Sequence, residues 1–380
     1  MKPSPPASPR GAAARALRAV LITSFMTIVL FFLLEGASST VLLLRDLWWD
    51  TRPVPRERQH TQYDPLLGWS NRPGARVPDL YGPGKSLTIN AEGFRGTAEV
   101  GVRVPPGKIR VICSGDSFTL GYGESDEASW CARLAEIEPR LQSVNMGQGG
   151  YGADQAYLWY ARDGTRLDHD VLIFALIADD FERMRGGEFL GYGKPVLHVR
   201  NGTLVTDNVP VPRSSYRFPW LRQHAVHFSR LRTFELIRVL TRDRGTVSRP
   251  ATGVDPELWK VAAEIFKSLR KLADAKGAVP VLAVLPGPDD YRTASSDAWR
   301  GALASEPSLE GYLRVDLVEA IRRLPAGQVA GFFNAYLHYS EAGNRWVAEQ
   351  LVAALLSEPR FAHKLEERGS PVPATPTAAR

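Results

Sequence analysis

Cysteine is scarce in this chain, with 2 residues among 380. So few cysteines exclude a fold that depends on a disulfide framework. We expect Cys113 and Cys131 to be two buried thiols, although a bond between them is open in an oxidising compartment. Dense basic runs are also lacking, because the net charge of +6 is spread along the chain beyond the first residues. This distribution excludes a nucleic-acid footprint, and we predict no nucleic-acid partner.

Clusters of metal-ligand residues are missing as well. His224 and His227 lie three residues apart on a predicted helix, but no further ligand group is close in sequence, so a solvated helix face is the better interpretation. Gly147 to Gly152 spells the glycine pattern of nucleotide-binding folds. In nucleotide-binding folds this pattern follows the first strand of the unit, and an acidic residue ends the second strand. Here the pattern follows the second strand, and Asp168 and Asp170 precede the third. We therefore predict neither a metal nor a cofactor.

The amino terminus contains one long apolar segment. Residues 19–44 carry a single charged side chain, Glu35, and exceed the ~20 residues that a bilayer core requires. Four basic residues precede this segment: Lys2, Arg10, Arg15 and Arg18. They predict a cytoplasmic tail at 1–18 and a single-pass anchor in the inner membrane, with the rest of the chain in the periplasm. A cleaved signal peptide is the alternative, with Gly36 to Ser38 available for processing.

Composition divides the remaining chain into three parts. Residues 45–107 are rich in Pro, Gly and charge, which predicts an extended lead-in with little regular structure. Residues 108–358 form the main domain, with an insert at 186–253 that contains a hairpin around Asn201-Gly202. The tail, 359–380, has no apolar face to bury and is predicted to be disordered.

The main domain alternates between strand and helix patterns. Five strands are predicted: Ile109 to Cys113, Leu141 to Met146, Val171 to Ile177, Val279 to Leu285 and Val329 to Phe333. Four helices are predicted: Ala128 to Ile137, Asp154 to Arg162, Glu257 to Ala275 and Glu341 to Leu356. Strands separated by helices imply a parallel sheet with right-handed crossovers. The fold class is therefore α/β, a three-layer α/β/α sandwich preceded by one transmembrane helix.

Polar residues follow the carboxyl ends of these strands, which share one rim in a parallel sheet. Ser117 follows the first strand, where it is either a nucleophile or a helix cap. Gly150 follows the second strand, Asp179 the third and His338 the last. A histidine can take the proton of a serine hydroxyl, and backbone amides of Ser117 and Gly150 can hold an oxyanion. These are the parts required for acyl transfer.

The same blocks resemble the SGNH, or GDSL, hydrolase superfamily from about Lys108 to Leu356. Gly115-Asp116-Ser117 matches the first block and Gly150 matches the second. Upstream, Leu67-Gly68-Trp69 and Asn90 to Arg95 look like the lead-in of membrane-anchored bacterial members. The resemblance implies a flavodoxin-like sheet and ester chemistry, often on carbohydrate O-acyl groups.

Two departures from the family pattern affect the site. Asp179, followed by Asp180, stands where the family has an asparagine that donates to the oxyanion. A carboxylate there cannot donate, and it would oppose the oxyanion by about 4 kcal/mol at a surface-like dielectric. Ala335 and Tyr336 stand where the family has an aspartate that orients the histidine.

Another group must therefore orient His338. A backbone carbonyl and Asn334 are the nearest candidates, and Asp179 could engage the imidazole across the rim. Asp116 and Asp180 are further candidates for supporting groups. In each case the expected unit is a Ser117–His338 dyad.

Two functional hypotheses follow. The first is an extracytoplasmic serine ester hydrolase or O-acyltransferase that acts on acyl esters of a cell-envelope or exported glycan, with Ser117 as nucleophile and His338 as base. The second is a catalytically degenerate binding or scaffold protein of the cell envelope that kept the SGNH fold.

Overall fold

The computed structural model describes residues 9–49, 60–189, 192–212, 232–241 and 254–369. His224 and His227 lie outside these ranges. The chain divides into two compact units, one of Met1–Val54 with Tyr216–Val247 and one of Pro55–Ser215 with Ser248–Arg380. Part of the insert thus belongs to the unit that holds the amino-terminal helix.

The described part of the first unit consists of two helices, α1 (Pro9–Trp49) and a helix of the insert at Arg232–Thr241. Residues Ala14–Leu42 of α1 are long and apolar enough to cross a membrane. The Glu35 carboxylate accepts hydrogen bonds from the backbone nitrogen of Thr233 at 3.0 Å and from its hydroxyl at 2.8 Å. The first turn of the insert helix therefore donates hydrogen bonds to Glu35, the acidic residue of the apolar segment.

The secondary-structure elements follow in chain order. The strands are β1 (Thr61–Asp64), β2 (Gly68–Asn71), β3 (Arg76–Val77), β4 (Leu87–Thr88), β5 (Ile109–Gly115), β6 (Leu141–Gly147), β7 (Val171–Leu176), β8 (Glu188–Phe189), β9 (Tyr192–Gly193), β10 (Val196–Arg200), β11 (Thr203–Asp207), β12 (Val279–Val284) and β13 (Leu313–Asp316). The helices after α1 are α2 (Ser117–Leu120), α3 (Trp130–Ile137), α4 (Ala153–Arg162), α5 (Asp179–Glu182), α6 (Arg232–Thr241), α7 (Pro256–Ala275), α8 (Asp297–Ser305), α9 (Leu317–Arg322), α10 (Ala326–Ala330), α11 (Glu341–Ser357) and α12 (Pro359–Gly369). Short 3-10 turns lie at Asp126–Ala128, Gly164–Arg166, Arg183–Arg185 and Pro307–Leu309.

The central sheet has five parallel strands in the order β13-β12-β7-β5-β6. Numbered by their occurrence along the chain, these strands run 2-1-3-4-5, which is the flavodoxin order. The predicted α/β fold is confirmed. All seven residues of β5 are buried, as expected of a strand that helices cover on both faces.

Successive side chains of β5 face two separate hydrophobic cores, because a strand alternates between its two faces. Ile112 packs in the core that α4, α7 and α8 cover. Val111 and Cys113 pack in the opposite core, which α3, α9, α11 and α12 cover. The molecule therefore has the expected three layers, and Ser117 emerges at the carboxyl end of β5.

The fifth strand was predicted at Val329 to Phe333, which is wrong. The strand is β13, and Val329 belongs to helix α10. Along β13 the residues are alternately half-buried and exposed, and this edge strand pairs with β12 alone. Arg314 and Asp316 on its exposed positions make the segment too polar to be recognised as an apolar run.

Cys113 and Cys131 form a disulfide, so the expectation of two buried thiols is wrong. Helix α3 packs back against β5 and brings the two Cα atoms to 6.2 Å, a distance at which the bond forms readily. The sequence separation of 18 residues does not show this approach. The bond joins β5, the strand that leads to Ser117, to helix α3.

The lead-in is more ordered than predicted. Strands β1 and β2 form one antiparallel ribbon, and β3 and β4 form another. Leu67, Trp69 and Phe94 are buried in the core next to α4. The Tyr151 hydroxyl donates to the Trp69 carbonyl at 2.5 Å. Residues of the lead-in are therefore part of the main domain.

Two other segments complete the domain. The hairpin of β10 and β11 turns at Asn201 and Gly202, as predicted, with positive φ angles of 51° and 71°. Disorder was predicted from residue 359, but helix α12 extends to Gly369 because Phe361 is fully buried in the core under α11. Burying a phenylalanine contributes about 1.5–3 kcal/mol. Residues 370–380 lie outside the described ranges.

Candidate active site

Ser117 is the first residue of helix α2, directly after β5. The helix is capped by Asp116, whose carboxylate accepts a hydrogen bond from the Phe118 backbone nitrogen at 2.8 Å. The capping function that the sequence left open for Ser117 therefore belongs to Asp116. The Ser117 side chain remains available for other contacts, and the residue is 7% exposed.

Close contacts from outside hold α2 in place. Gly147, at the end of β6, lies so near the Leu120 backbone that a Cβ atom would overlap it. The Asn145 side chain donates to the Thr119 carbonyl at 2.9 Å. From the lead-in, the buried Arg95 guanidinium donates to the Leu120 carbonyl at 2.5 Å. The path of the turn from Asp116 to Leu120, which we call the nucleophile turn, is thus fixed from two sides.

The imidazole of His338 lies against Ser117. Its Nε2 is 2.8 Å from Ser117 Oγ, and its Nδ1 is 2.8 Å from the Tyr336 carbonyl oxygen. Because that carbonyl can only accept, Nδ1 carries the hydrogen and Nε2 presents its lone pair to the serine hydroxyl. This is the tautomer that a general base requires, and it is obtained without an orienting carboxylate.

Asn334 acts on the loop of His338 rather than on the ring. Its side-chain oxygen accepts from the backbone nitrogens of Tyr336 at 3.0 Å and His338 at 3.3 Å. Between these residues, Leu337 has a left-handed φ of 61°, a conformation that β-carbon-bearing residues adopt at a cost. Asn334 therefore holds the turn that aims the Tyr336 carbonyl at the ring.

Aromatic neighbours partly bury His338. Phe118 stacks on the imidazole with ring centroids 4.6 Å apart, and the Tyr122 ring lies at 5.0 Å. Burial lowers the pKa of His338, while the Tyr336 carbonyl and the Asp116 charge oppose that change. The neutral form, which can accept a proton, is therefore favoured.

We expect the acid limb of kcat/KM for an acyl ester to have its midpoint below pH 6.5, the ordinary pKa of the ring. The base works when neutral, so activity is full above the lowered pKa and is lost as the pH falls through it. Initial rates at limiting substrate from acidic to neutral pH measure this midpoint. A midpoint above the ordinary histidine pKa would contradict the assignment of buried His338 as the base.

Gly150 lies in the loop between β6 and α4, in a left-handed conformation with φ of 80°. The lead-in holds this loop: Trp69 Nε1 donates to the Gly149 carbonyl at 3.0 Å, and the Gln148 amide donates to Asn71 at 2.8 Å. A glycine at such a turn lets its backbone amide approach another group closely. The loop thus supplies a fixed backbone segment at the same rim as Ser117.

The third block places its two aspartates differently. Asp179 opens helix α5 and is exposed, whereas Asp180 is buried. The Asp180 carboxylate accepts from Arg183 Nη1 at 2.7 Å and from the Ile177 backbone nitrogen at 3.0 Å. Burial raises the pKa of Asp180 well above its usual value, the Asp116 charge adds to the rise and Arg183 opposes it.

Asp179 does not orient the imidazole. Both ring nitrogens of His338 have other partners, Ser117 Oγ and the Tyr336 carbonyl. Ala335 is exposed. The role of the missing aspartate therefore falls to a main-chain oxygen.

Asp168 and Asp170 do not lie near the glycine pattern at 147–152. Asp170 accepts from the Arg110 backbone nitrogen at 3.0 Å, and the Asp168 carbonyl accepts from the Arg110 side chain at 2.9 Å. Arg110 is at the amino end of β5, so these aspartates lie at the end of the sheet opposite the glycines. Within the part of the chain that the structure describes, no group of three His, Cys, Asp or Glu side chains is placed to hold a metal.

The structure therefore brings Ser117, Asp116 and His338 together. Asn334 contacts the backbone of the His338 loop, and Asp180 shares the Arg183 guanidinium with Asp116. Sequence reasoning missed Arg183. It offered a backbone carbonyl as one candidate for orienting His338, but it did not identify the carbonyl as that of Tyr336. The spacing of Asp180 and Arg183 at i, i+3 was a signal for an ion pair. A main-chain acceptor leaves no signal in the sequence.

Comparison with known proteins finds no matching family model and no matching curated protein. Among solved structures, the chain is similar to a member of the lipolytic protein G-D-S-L family from Veillonella parvula, with 12% identity over 66% of this chain and 100% of that chain, and a TM-score of 0.37. It is also similar to Axe2, an acetylxylan esterase from Geobacillus stearothermophilus, with 12% identity, coverage of 66% and 95%, and a TM-score of 0.38. For an alpha/beta hydrolase enzyme from the metagenome of Lake Arreo, Spain, the identity is 18%, the coverage 67% and 97%, and the TM-score 0.39.

Proposed function

We propose that the protein is a serine ester hydrolase in which Ser117 is the nucleophile and His338 the general base. The observation that carries the proposal is the 2.8 Å contact between Ser117 Oγ and His338 Nε2, with Nδ1 held by the Tyr336 carbonyl. A serine hydroxyl is a weak nucleophile until a base takes its proton. The lowered pKa of His338 keeps that base neutral near neutral pH.

The reaction proceeds in two halves. Ser117 Oγ bonds to the acyl carbon as its proton passes to His338 Nε2, and the carbonyl oxygen becomes an oxyanion. The backbone amides of Ser117 and Gly150 donate to that oxyanion. When the intermediate collapses, the ester carbon–oxygen bond breaks and His338 returns the proton to the departing alcohol. His338 then takes the proton of a second acceptor, whose oxygen bonds to the acyl carbon. The bond from the acyl carbon to Ser117 Oγ breaks, and His338 returns the proton to Ser117 Oγ.

The second acceptor decides between hydrolase and transferase: water gives the free acid, and a sugar hydroxyl gives a new ester. We assign the substrate to acyl esters of a cell-envelope or exported glycan. An aromatic surface next to the base supports this assignment, because Tyr336 is 46% exposed and packs edge-on against Tyr122, with ring centroids 5.6 Å apart. The apolar face and polar tip of a tyrosine suit a surface that is apolar on one side and wet on the other.

Two features support an extracytoplasmic, membrane-anchored location. Helix α1 has the length and composition of a membrane span. The disulfide between Cys113 and Cys131 suits an oxidising compartment such as the periplasm. We therefore propose an inner-membrane anchor with the main domain in the periplasm.

A fluorophosphonate probe tests the proposed nucleophile. We expect the folded full-length protein to form one covalent adduct, mapped by mass spectrometry to Ser117, because the probe reports a serine that a neighbouring base activates. The Ser117→Ala variant should form none, and the wild-type protein unfolded in denaturant should also form none. A folded wild-type protein that remains unlabelled would favour the alternative of a catalytically degenerate binding protein.

A further inference from the structure

We propose that Arg183 is the positioning residue of this site, which ties the nucleophile turn, the glycine loop and helix α5 to one another and balances the carboxylate beside Ser117. The inference rests on the proposed function, because it assigns Arg183 a role in the reactivity of Ser117. Neither the sequence blocks nor the family pattern assigns this residue a role.

The geometry around one nitrogen supports the proposal. Arg183 Nη1 donates to Asp116 Oδ2 at 3.0 Å, to the Tyr151 carbonyl at 2.9 Å and to Asp180 Oδ1 at 2.7 Å. Asp116 precedes Ser117, Tyr151 follows Gly150, and Asp180 belongs to α5. One guanidinium group therefore contacts the loops after three adjacent strands. Together with the contacts of the lead-in, these hydrogen bonds set the separation of Ser117 from the Gly150 amide.

Arg183 is itself held firmly. Its side chain is 15% exposed, and its guanidinium lies over the Phe189 ring at 5.5 Å. Its backbone carbonyl accepts a hydrogen bond from Lys194 Nζ at 2.9 Å, and the same ammonium pairs with Asp154 at 2.5 Å. Lys194 and Asp154 are completely buried. Phe189 and Lys194, near the start of the insert, therefore hold Arg183 in place.

The charges around the site give Arg183 a second effect. Asp116 and Asp180 are buried next to it, and Asp179 lies near enough to stabilise its positive charge. An oxyanion forming at Ser117 would be opposed by the Asp116 and Asp179 carboxylates if their charge were not balanced. Because Asp179 replaces the asparagine of the family pattern, this site has one more negative charge to balance. The guanidinium supplies a positive charge at the same place.

The charge also reaches the base. The charged groups that act on His338 are Asp116, which favours the protonated ring, and Arg183, which disfavours it. Tyr122, a titratable residue in the turn after α2, contacts the His338 ring. The ring nitrogens of His338 contact two uncharged groups, the Ser117 hydroxyl and the Tyr336 carbonyl. Removing the guanidinium would leave the Asp116 charge without its partner. The imidazolium would then be favoured, so the acid limb would move to higher pH.

The test compares Arg183→Met and Arg183→Lys with the control Arg185→Met in the full-length protein. Arg185 lies two residues away, is 56% exposed and pairs with Glu182 and Asp255. We expect Arg183→Met to slow fluorophosphonate labelling of Ser117 roughly 100-fold, the loss that a small misplacement of reacting groups causes, and to move the acid limb of the labelling rate to higher pH. Arg183→Lys should return the acid limb of the labelling rate to its wild-type pH but recover only part of the labelling rate. Lysine keeps the positive charge but lacks the planar guanidinium group. The control should match the wild-type protein in both measurements.

Each outcome bears on the proposal. An Arg183→Met protein that is folded by circular dichroism, and that keeps the wild-type rate and acid limb, would overturn it. If Arg183→Met does not fold, the lysine variant decides: a wild-type limb with a reduced rate supports the proposal, and a displaced limb or an unchanged rate contradicts it. Wild-type protein that forms no Ser117 adduct would instead remove the proposed function itself, so the two failures are distinguishable.

Discussion

The Ser117→Ala protein is expected to hydrolyse a small acyl ester with a kcat/KM about 10⁶-fold below that of the wild-type protein, the order of loss when a serine nucleophile is removed. The cause is chemical, because alanine offers no oxygen to form the acyl-enzyme. Ser117 Oγ has His338 Nε2 at 2.8 Å, while the carboxylate that caps α2 belongs to Asp116. The folded structure should therefore remain intact. Initial rates together with a thermal melt measure both effects.

Two further proteins complete this experiment: a control in which another serine is replaced, and a variant that combines Ser117→Ala with His338→Gln. Ser357 is exposed at the end of α11, where its hydroxyl donates to the Ala354 carbonyl, so Ser357→Ala should retain wild-type activity. His338→Gln should lower kcat/KM by a similar factor to Ser117→Ala. The two changes combined should lose little more than either alone, because groups that act as one unit are not additive. Wild-type rates in Ser117→Ala would contradict the assignment.

The double variant Cys113→Ala/Cys131→Ala is expected to lose about 3 kcal/mol of unfolding free energy, the contribution of a disulfide that closes a loop of this size. The two cysteines are 18 residues apart, and their bond joins β5 to α3. Without the bond, the unfolded chain gains conformational freedom. Denaturant unfolding, followed by fluorescence, measures the change as a lower midpoint with a similar slope.

Reduction of the wild-type protein separates the effect of the bond from the effect of the lost sulfur atoms. A thiol reductant should lower the unfolding midpoint of the wild-type protein towards that of the double variant, and it should leave the variant unchanged. Equal midpoints for the oxidised wild-type protein and the variant would show that the bond contributes nothing to stability.

The parts of the fold that the sequence predicted are those in which local pattern and tertiary environment agree. Strands such as β5 and β7 are buried on both faces, so each appears as a continuous apolar run. The edge strand β13 has one neighbour and keeps Arg314 and Asp316 in solvent-exposed positions, so its sequence is not apolar. The disulfide depended on how α3 packs against β5, which no spacing along the chain encodes.

The candidate site divides in the same way. Ser117 could be predicted because it follows a strand end at the rim of the sheet. His338 was placed at that rim by a strand predicted at Val329 to Phe333, which is absent; helices α9 and α10 lie between β13 and His338. The contact of Arg183 with Asp116 could not be predicted, because it joins the turn after α5 to the end of a different strand, β5. The orienting group of His338 is a carbonyl that every residue carries, so the identity of Tyr336 gave no information about it.

The use of a main-chain acceptor changes which substitutions can inactivate the dyad. In a triad, a single codon change deletes the orienting carboxylate, whereas no side-chain change at position 336 removes the oxygen that holds His338 Nδ1. The side chain at position 336 can therefore change without loss of this oxygen. The mutational vulnerability moves to Asn334, whose side chain keeps the turn in shape through two backbone nitrogens. Variants selected for altered substrate preference should therefore accumulate at 336, while 334 stays fixed.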